Sequence, residues 1–233
     1  MLGVWANFGA VVVGGLLGTL LRGGIKEKYS KTINVGLALC VLLIGMSGAL
    51  QTQNMLLVII SIVIGCFLGE LMRIEDGLDA LGDWAQRRFA KNDTGFANGF
   101  VNATLLFCVG AMAVVGSLEA GLQNNPETLI AKAALDGVSA IIFASSFGIG
   151  VIFSAIPLTI YQGGIALLAG VLAPFLTDAL IQEMSAVGSI LIIGLSINML
   201  GLTKERIRVG NMLPAILVPC VYIPVANWLS SLI

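Results

Sequence analysis

Hydrophobic residues occur along the chain in eight long runs, separated by short polar or Pro/Gly-containing breaks. A helix needs about 20 mostly apolar residues to cross the hydrocarbon core of a bilayer, and each run is close to that length. The pattern predicts an all-α protein, a polytopic membrane helix bundle in which residues 1–233 form a single transmembrane domain. The predicted spans are 3–21, 34–50, 54–72, 98–118, 137–157, 163–181, 185–202 and 210–231.

The connection between the fifth and sixth predicted spans, residues 154–164, carries no charged side chain. A cytoplasmic loop usually contains basic residues, so two interpretations stay open. The length of both segments favours two full crossings. Alternatively, the pair is a broken or re-entrant hairpin that enters and leaves the membrane on one side, which is tolerated where protein or a cavity shields the backbone.

A polar segment, residues 76–90, separates the third and fourth spans and has the periodicity of an amphipathic helix. Apolar side chains from Leu78 to Phe89 recur on one face, with Trp84 at its edge, and charged side chains occupy the other face. This pattern is typical of a helix that lies in the membrane interface. We interpret it as an interfacial anchor or, alternatively, as a gate or a docking element for a partner.

The composition agrees with a protein surrounded by lipid. Hydrophobic residues make up 58% of the chain and charged residues 11%, and the mean hydropathy is +0.99. A soluble domain carries about 25% charged residues to cover its surface, so a soluble protein is excluded and the lipid bilayer is the predicted environment. The net charge of −1 also argues against a nucleic-acid partner, which requires a basic face.

Several chemistries lack the residues that they need. The chain has no histidine, and its four cysteines lie singly inside apolar runs. We therefore predict no metal site, no cofactor and no catalytic residue, and the protein is not expected to be an enzyme. The phosphate-binding sequence of ATPases is also missing from the sequence, which excludes ATP-driven transport by this chain alone.

Basic residues are concentrated in three connections, which hold eleven of the twelve lysines and arginines. With eight spans, all three connections lie on one side of the membrane, and Lys132 falls in a loop on the other side. Cytoplasmic loops are enriched in Lys and Arg, so we predict that the basic connections are cytoplasmic and that both termini are outside. The three connections are 22–31, 73–91 and 204–208.

A two-span unit is duplicated within residues 1–118, with the interfacial helix inserted into the second copy. The first and third spans match at an offset of 51 residues, and the second and fourth at an offset of 68. Each copy contains a G-x-x-x-G pattern, typical of closely packed helices. These small-residue faces can join helices within one chain or between two copies, so a homo-oligomer stays open. The matched pairs include Gly14 with Gly65, Gly18 with Gly69, Asn34 with Asn102 and Cys40 with Cys108.

Polar side chains in the C-terminal half, residues 137–231 with Asp136 just before them, are the candidates for a transport pathway. Small residues follow Asp136 along the fifth span, which indicates either a tight helix contact or a narrow groove lined by oxygen atoms. In a groove, Asp136 would attract a cation or take a proton. A lone Asn198 inside a span is more typical of a hydrogen bond between helices. The candidate substrate- or ion-binding residues are Asp136, Ser145, Ser146, Ser154, Gln162, Asn198 and Asn211.

Four ordered motifs are distributed over the chain: Leu105–Met112, Lys132–Gly137, Tyr161–Gly163 and Asn211–Ala215. Together they resemble the YdfK/YqgA-type bacterial membrane proteins, a family catalogued as a domain of unknown function. The resemblance implies a multi-span protein of the bacterial cytoplasmic (inner) membrane that is suspected of transport. It implies no substrate and no role for any residue.

Two functions follow from these observations. The first is a transporter or channel for a small solute or ion, in which an ion gradient drives any uphill movement and Asp136 is the protonatable group. The alternative is a non-transporting scaffold or sensor that acts through the cytoplasmic interfacial helix. An intramembrane enzyme is disfavoured, because the acid and base pair that such an enzyme needs is hard to assemble from this sequence.

Overall fold

A computed structural model of the protein describes residues 1–22, 27–89 and 95–223. Over these ranges the chain is mainly helical and forms no strand, which confirms the predicted all-α class. The helices are α1 (Leu2–Arg22), α2 (Glu27–Ala49), α3 (Met55–Met72), α4 (Ile74–Phe89), α5 (Phe96–Cys108), α6 (Ala111–Leu122), α7 (Glu127–Phe147), α8 (Gly150–Phe153), α9 (Ala155–Leu167), α10 (Ala169–Leu172) and α11 (Asp178–Leu200), followed by a 3-10 segment (Val209–Leu217).

Six helical segments in the described part of the chain are long and apolar enough to cross a bilayer. They are α1, α3, α7, α11, the part of α2 from Lys31, and α8 continued by α9. Helices α5 and α6 form a seventh candidate that is bent by 63°, and Val209–Ile223 is a shorter apolar helix. A count of eight requires the bent pair and this short helix to cross as well, and it stays a prediction. Residues 224–231 of the last predicted span lie outside the described residues.

The two G-x-x-x-G motifs of the repeat pack inside the chain. In α1, Gly18 lies against the backbone of Ile141 in α7, and these two helices run parallel. In α3, Gly69 lies against the backbone of Asn211 in the 3-10 segment, which runs antiparallel to α3. A side chain at either glycine would collide with that backbone, so glycine is what permits the close approach. Both faces are occupied within the chain, and a homo-oligomer would have to use other surfaces.

Helices α2 and α11 form a third close pair and run antiparallel. Near the middle of the pair, the Ser196 hydroxyl donates a hydrogen bond of 2.6 Å to the Ala38 carbonyl. Beyond the end of α2, the backbone N–H of Gln53 donates to the Glu183 carboxylate at 2.8 Å. These contacts fix α11 in the centre of the bundle, where most of its surface is buried.

The basic connections that the structure describes gather at one end of the bundle. In the connection 204–208, Arg206 lies 3.3 Å from Asp79 of α4, and Arg208 lies 2.9 Å from Glu70 near the end of α3. Asn34, in the second turn of α2, and Asn98, in the first turn of α5, lie beside the same connection. We call this end of the bundle the basic end, and the other end the opposite end. Residues 23–26 and 90–94 of the basic connections lie outside the described residues.

The predicted boundaries of the fifth span are wrong. The helix covers 127–147 rather than 137–157, because Gly148 ends it with φ at 80° and ψ at −156°. Glycine adopts this conformation without the steric cost that a side chain brings. Ser146 therefore lies in α7, whereas Ser154 lies at the break between α8 and α9, and the two serines do not belong to one continuous helix. Lys132, which we placed in a loop, lies inside α7.

The sixth span also differs from the prediction, since residues 150–167 are helical and the predicted span was 163–181. Residues 155–164, which we predicted as part of a connection, lie in α9. Pro157 does not break it, because proline in the first turn of a helix lacks only an N–H that has no partner within the helix. Both segments are long enough to span a bilayer, which favours two crossings over a re-entrant hairpin.

The sharp break occurs instead in the fourth predicted span, 98–118. Helix α5 ends at Cys108 and α6 begins at Ala111, and Gly110 between them has φ at 131°. The 63° bend at this point turns α6 toward α9, against which it packs.

The helix predicted at residues 76–90 is α4, from Ile74 to Phe89, and residue 90 lies outside the described residues. Arg73 adopts the left-handed conformation (φ 55°) and separates α3 from α4. Acidic side chains lie in the first turn of α4 and basic side chains in its last turn. This order stabilises the helix through favourable interactions with its dipole. Trp84 is 56% exposed, as expected of a side chain that reaches the lipid interface, and interfacial anchoring stays a prediction.

Candidate functional site

Four polar side chains from three helices form a buried cluster near the opposite end of the bundle. We call Asn7, Lys132, Asp136 and Gln162 the charged cluster. The Lys132 ammonium donates to both oxygens of the Asp136 carboxylate, at 2.9 and 2.6 Å. The Asn7 amide donates to the same carboxylate at 2.9 Å and to the Gln162 side-chain oxygen at 3.3 Å. All four residues are buried, with Asn7 and Gln162 completely inaccessible to solvent.

Local helix geometry explains the ion pair. Lys132 and Asp136 are four residues apart on α7, a spacing that places them on neighbouring turns of one face. Asn7 reaches them because the glycine face of α1 brings that helix against α7. Gln162 reaches them because the turn at Gly148 folds α9 back along both helices.

The cluster is not fully satisfied. Among the described residues, the side-chain oxygen of Asn7 and the side-chain nitrogen of Gln162 are buried without a hydrogen-bond partner. A buried polar group without a partner costs about 1–3 kcal/mol, and an ionisable pair within a membrane is retained at a cost. The cluster thus has one acceptor and one donor available for a water molecule or a small polar ligand.

Two apolar layers enclose the charged cluster. Toward the opposite end, Val4, Ala120 and Leu129 form a thin layer of three buried residues. Toward the basic end lies a much thicker layer, which includes Phe107 and Phe143 among twelve buried residues. The cluster is therefore occluded from both ends of the bundle, and its barrier is thinner on one side than on the other.

A polar pocket lies on the far side of the thick layer, at the basic end. We call this pocket of about 340 Å³ the amide pocket, because four asparagines contribute to its wall. They come from α2, α5 and α11, and the connection after α11 adds a hydroxyl and a guanidinium. The lining residues are Asn34, Asn98, Asn102, Phe147, Asn198, Met199, Thr203 and Arg206.

The order polar, apolar, polar can be followed along α7. It carries Lys132 and Asp136 in the charged cluster, then Phe143 in the thick layer, then Phe147 in the amide pocket. Eleven residues separate Asp136 from Phe147, which is about 16 Å at 1.5 Å per residue. α2, α5 and α11 contribute to the thick layer and the pocket, and α1 and α9 to the cluster and the thick layer.

The structure does not bring the seven sequence candidates together into one site. Asp136 and Gln162 lie in the charged cluster, and Asn198 lines the amide pocket. The side-chain nitrogen of Asn198 donates to the Ile207 carbonyl and its side-chain oxygen accepts from the Ile207 N–H, each at 2.8 Å. Asn198 therefore holds the connection after its own helix rather than a second helix.

The serine candidates lie apart from the charged cluster. The Ser145 and Ser154 hydroxyls donate to carbonyls three residues earlier on their own chain segment, those of Ile142 and Val151. Such bonds satisfy a hydroxyl locally and leave little capacity for a ligand. Ser146 is half-buried on α7 and belongs to neither the charged cluster nor the lining of the amide pocket.

Asn211 has a structural place at the basic end. Its side-chain oxygen accepts from the Glu75 N–H at 2.7 Å, and its nitrogen donates to Glu70 at 2.6 Å. The buried Glu75 carboxylate in turn accepts from the Gly210 N–H and lies 3.4 Å from Arg206. These bonds join α4 to the 3-10 segment and position Arg206 at the rim of the amide pocket.

Comparison with known proteins places the chain in a family. The family model described as "Protein of unknown function (DUF554)" matches residues 2–224. The chain belongs to this family. It is 31% identical over 227 residues to the uncharacterized membrane protein YdfK of Bacillus subtilis, covering 96% of each chain. It is also 31% identical over 222 residues to the uncharacterized protein YqgA of Escherichia coli, covering 93% of this chain and 94% of YqgA. No solved structure matches the chain.

Membership of the DUF554 family confirms the resemblance that the motifs indicated. The matched region, residues 2–224, includes every residue of the charged cluster and of the amide pocket. Both features therefore lie in the part of the chain that the family model describes.

Sequence reasoning missed Asn7, Lys132 and most of the amide pocket. Lys132 was assigned to a loop because the start of α7 was placed ten residues too late. Asn7 carried no signal of its own, since a single amide near the end of a span is unremarkable. Asn34 and Asn102, which both line the pocket, could have been identified from the sequence, because they occupy equivalent positions in the repeat.

Proposed function

We propose that the protein is a membrane transporter for a small solute, driven by an ion gradient rather than by ATP, and that it is not an enzyme. The observation that carries this proposal is the sequence of layers along the bundle. An amide-lined pocket at the basic end and an occluded charged cluster near the opposite end are separated by the thick apolar layer. A carrier that exposes its sites alternately requires such polar sites with apolar barriers between them.

The charged cluster is the coupling site in this proposal. Asp136 and Lys132 are held together inside the membrane-spanning part of the bundle, where ionisable side chains are costly and usually functional. A proton or another cation that binds Asp136 would release Lys132 from the pair. The thin layer at Val4, Ala120 and Leu129 is the barrier that such an ion would cross first if it came from the opposite end.

The experiment compares a neutral pair with a matched surface change. The double variant Lys132→Met/Asp136→Asn removes both charges and leaves no buried charge unpaired, so it should fold. We expect the double variant, reconstituted in liposomes, to lose ion-coupled solute uptake. The control Asp178→Asn, at an exposed position at the start of α11, should keep this uptake. Uptake is screened with polyols, amino acids and organic acids, and an internal pH-sensitive dye reports proton movement.

Two outcomes would contradict the proposal. Wild-type protein that moves none of the tested solutes would favour the alternative, a scaffold or sensor acting through α4. Uptake that is equal in wild type and the double variant would remove the charged cluster from the mechanism.

We also propose that the protein lies in the bacterial inner membrane with its basic end in the cytoplasm and its N-terminus outside, because Lys and Arg are enriched in cytoplasmic loops. In a variant without its four cysteines, Gln53→Cys at the opposite end should react with a membrane-impermeant maleimide in intact cells. Glu205→Cys at the basic end should react only after the cells are permeabilised. Both positions are exposed, so the reversed labelling pattern would show the reversed orientation.

A further inference from the structure

The amide pocket has a chemical character that limits what it can bind. Asn34, Asn98 and Asn102 bring side-chain amides to its wall from two helices, and Asn102 is buried. Each amide offers donors and an acceptor but no charge. Among the described residues, the Asn34 side-chain oxygen is buried without a hydrogen-bond partner, so it is available to a ligand that donates.

Charge in the pocket is balanced. Arg206 is the charged residue among the lining residues that the structure describes. Its guanidinium lies 3.4 Å from Glu75 and 3.3 Å from Asp79, so its positive charge is already compensated. No carboxylate belongs to that lining, whereas a bound cation is usually held by one. Among these described lining residues, neither a cation nor an anion finds a free counter-charge.

The size of the pocket suits a small molecule. Its volume of about 340 Å³ lies at the lower end of the range of about 300–1,000 Å³ that is typical of small-molecule sites. Phe147 and Met199 supply an apolar part of the wall. A small ligand site commonly combines apolar wall with a few placed polar groups.

We propose that the amide pocket is the entry site for an uncharged, hydrogen-bonding solute, one that presents hydroxyl or amide groups and is no larger than a monosaccharide. This inference rests on the proposed function, since it names the class of solute that the transporter would carry. Asn34 and Asn102 occupy equivalent positions in the duplicated unit, and they give the solute two amide contacts from two helices.

The test separates binding from transport. In the cysteine-free background, Thr203→Cys places a thiol in the wall of the pocket, and Glu205→Cys places one at an exposed position nearby. The probes are erythritol and urea as neutral solutes, with sodium chloride and sodium acetate as charged ones. At about ten times its Kd, a bound neutral probe should slow the maleimide reaction of Thr203→Cys about ten-fold by mass action, and leave Glu205→Cys unchanged.

Variants of the pocket give the second readout. Asn102→Leu and Asn34→Leu keep the approximate side-chain volume and remove the amide, and each should abolish the protection at Thr203→Cys. Gln53→Leu, an exposed change at the opposite end, should not. Folding is checked by size-exclusion chromatography, and Asn34→Leu remains informative if the more deeply buried Asn102→Leu fails to fold.

The outcomes distinguish this inference from the proposed function. Protection by erythritol or urea without uptake into liposomes would support the binding site and overturn transport. Uptake of sodium or acetate with no protection by either neutral probe would support transport and overturn the inference. If no probe gives either protection or uptake, both the inference and the proposed function are overturned.

Discussion

Lys132→Met is expected to lower the free energy of unfolding by about 3–5 kcal/mol, the cost of leaving one partner of a buried ion pair without its counter-charge. Asp136 would then remain in the bundle with the Asn7 amide as its main hydrogen-bond donor. The measurement is unfolding of the purified protein in detergent, followed by the loss of helical circular dichroism.

The neutral double variant Lys132→Met/Asp136→Asn is the control for this prediction. It removes the second charge together with the first, and we expect it to recover most of the lost stability, because replacing a whole buried pair is often nearly neutral. If Lys132→Met alone were as stable as wild type, Asp136 would not depend on Lys132, and the buried pair would lose its place in the mechanism.

Gly69→Ala is the second change with a large expected effect. A Cβ at this position would overlap the carbonyl group of Asn211 in the 3-10 segment, and a backbone carbonyl cannot rotate away as a side chain can. We expect a loss of about 2–3 kcal/mol, in the range found for overpacked interiors. The same unfolding measurement in detergent applies.

Gly36→Ala in α2 is the matched control, because a Cβ there has no neighbouring atom within 4 Å. Alanine is favoured over glycine inside a helix by about 0.5–1 kcal/mol, so Gly36→Ala should be neutral or stabilising. Equal effects at the two positions would mean that α3 and the 3-10 segment do not pack as closely as the structure shows.

Several features of the fold could be predicted from local sequence. The helix from Met55 to Met72 was predicted within one residue, since it is a long apolar run, with Ser61 and Glu70 as its polar residues, and charged residues follow it. The amphipathic helix α4 was predicted from the periodicity of its apolar and charged residues. These elements depend on neighbouring residues alone, and so the sequence around them is sufficient.

The boundaries of α7 could not be predicted in the same way. Lys132 and Asp136 both lie in the first half of α7. A charged residue in an apolar run predicts a loop when its ion-pair partner is unknown. Only the pairing of the two side chains with each other, and with Asn7 from 129 residues away, makes it possible to bury them.

By itself the sequence determined that the protein is a helical membrane protein and that two glycine faces pack closely, because composition and spacing report directly on lipid and on helix contact. Only the tertiary structure decided which polar residues meet. It separated Asn211 and the serines from Asp136 and joined Asp136 to Asn7 and Gln162, because helix directions and turns set distances between residues that lie far apart in the chain.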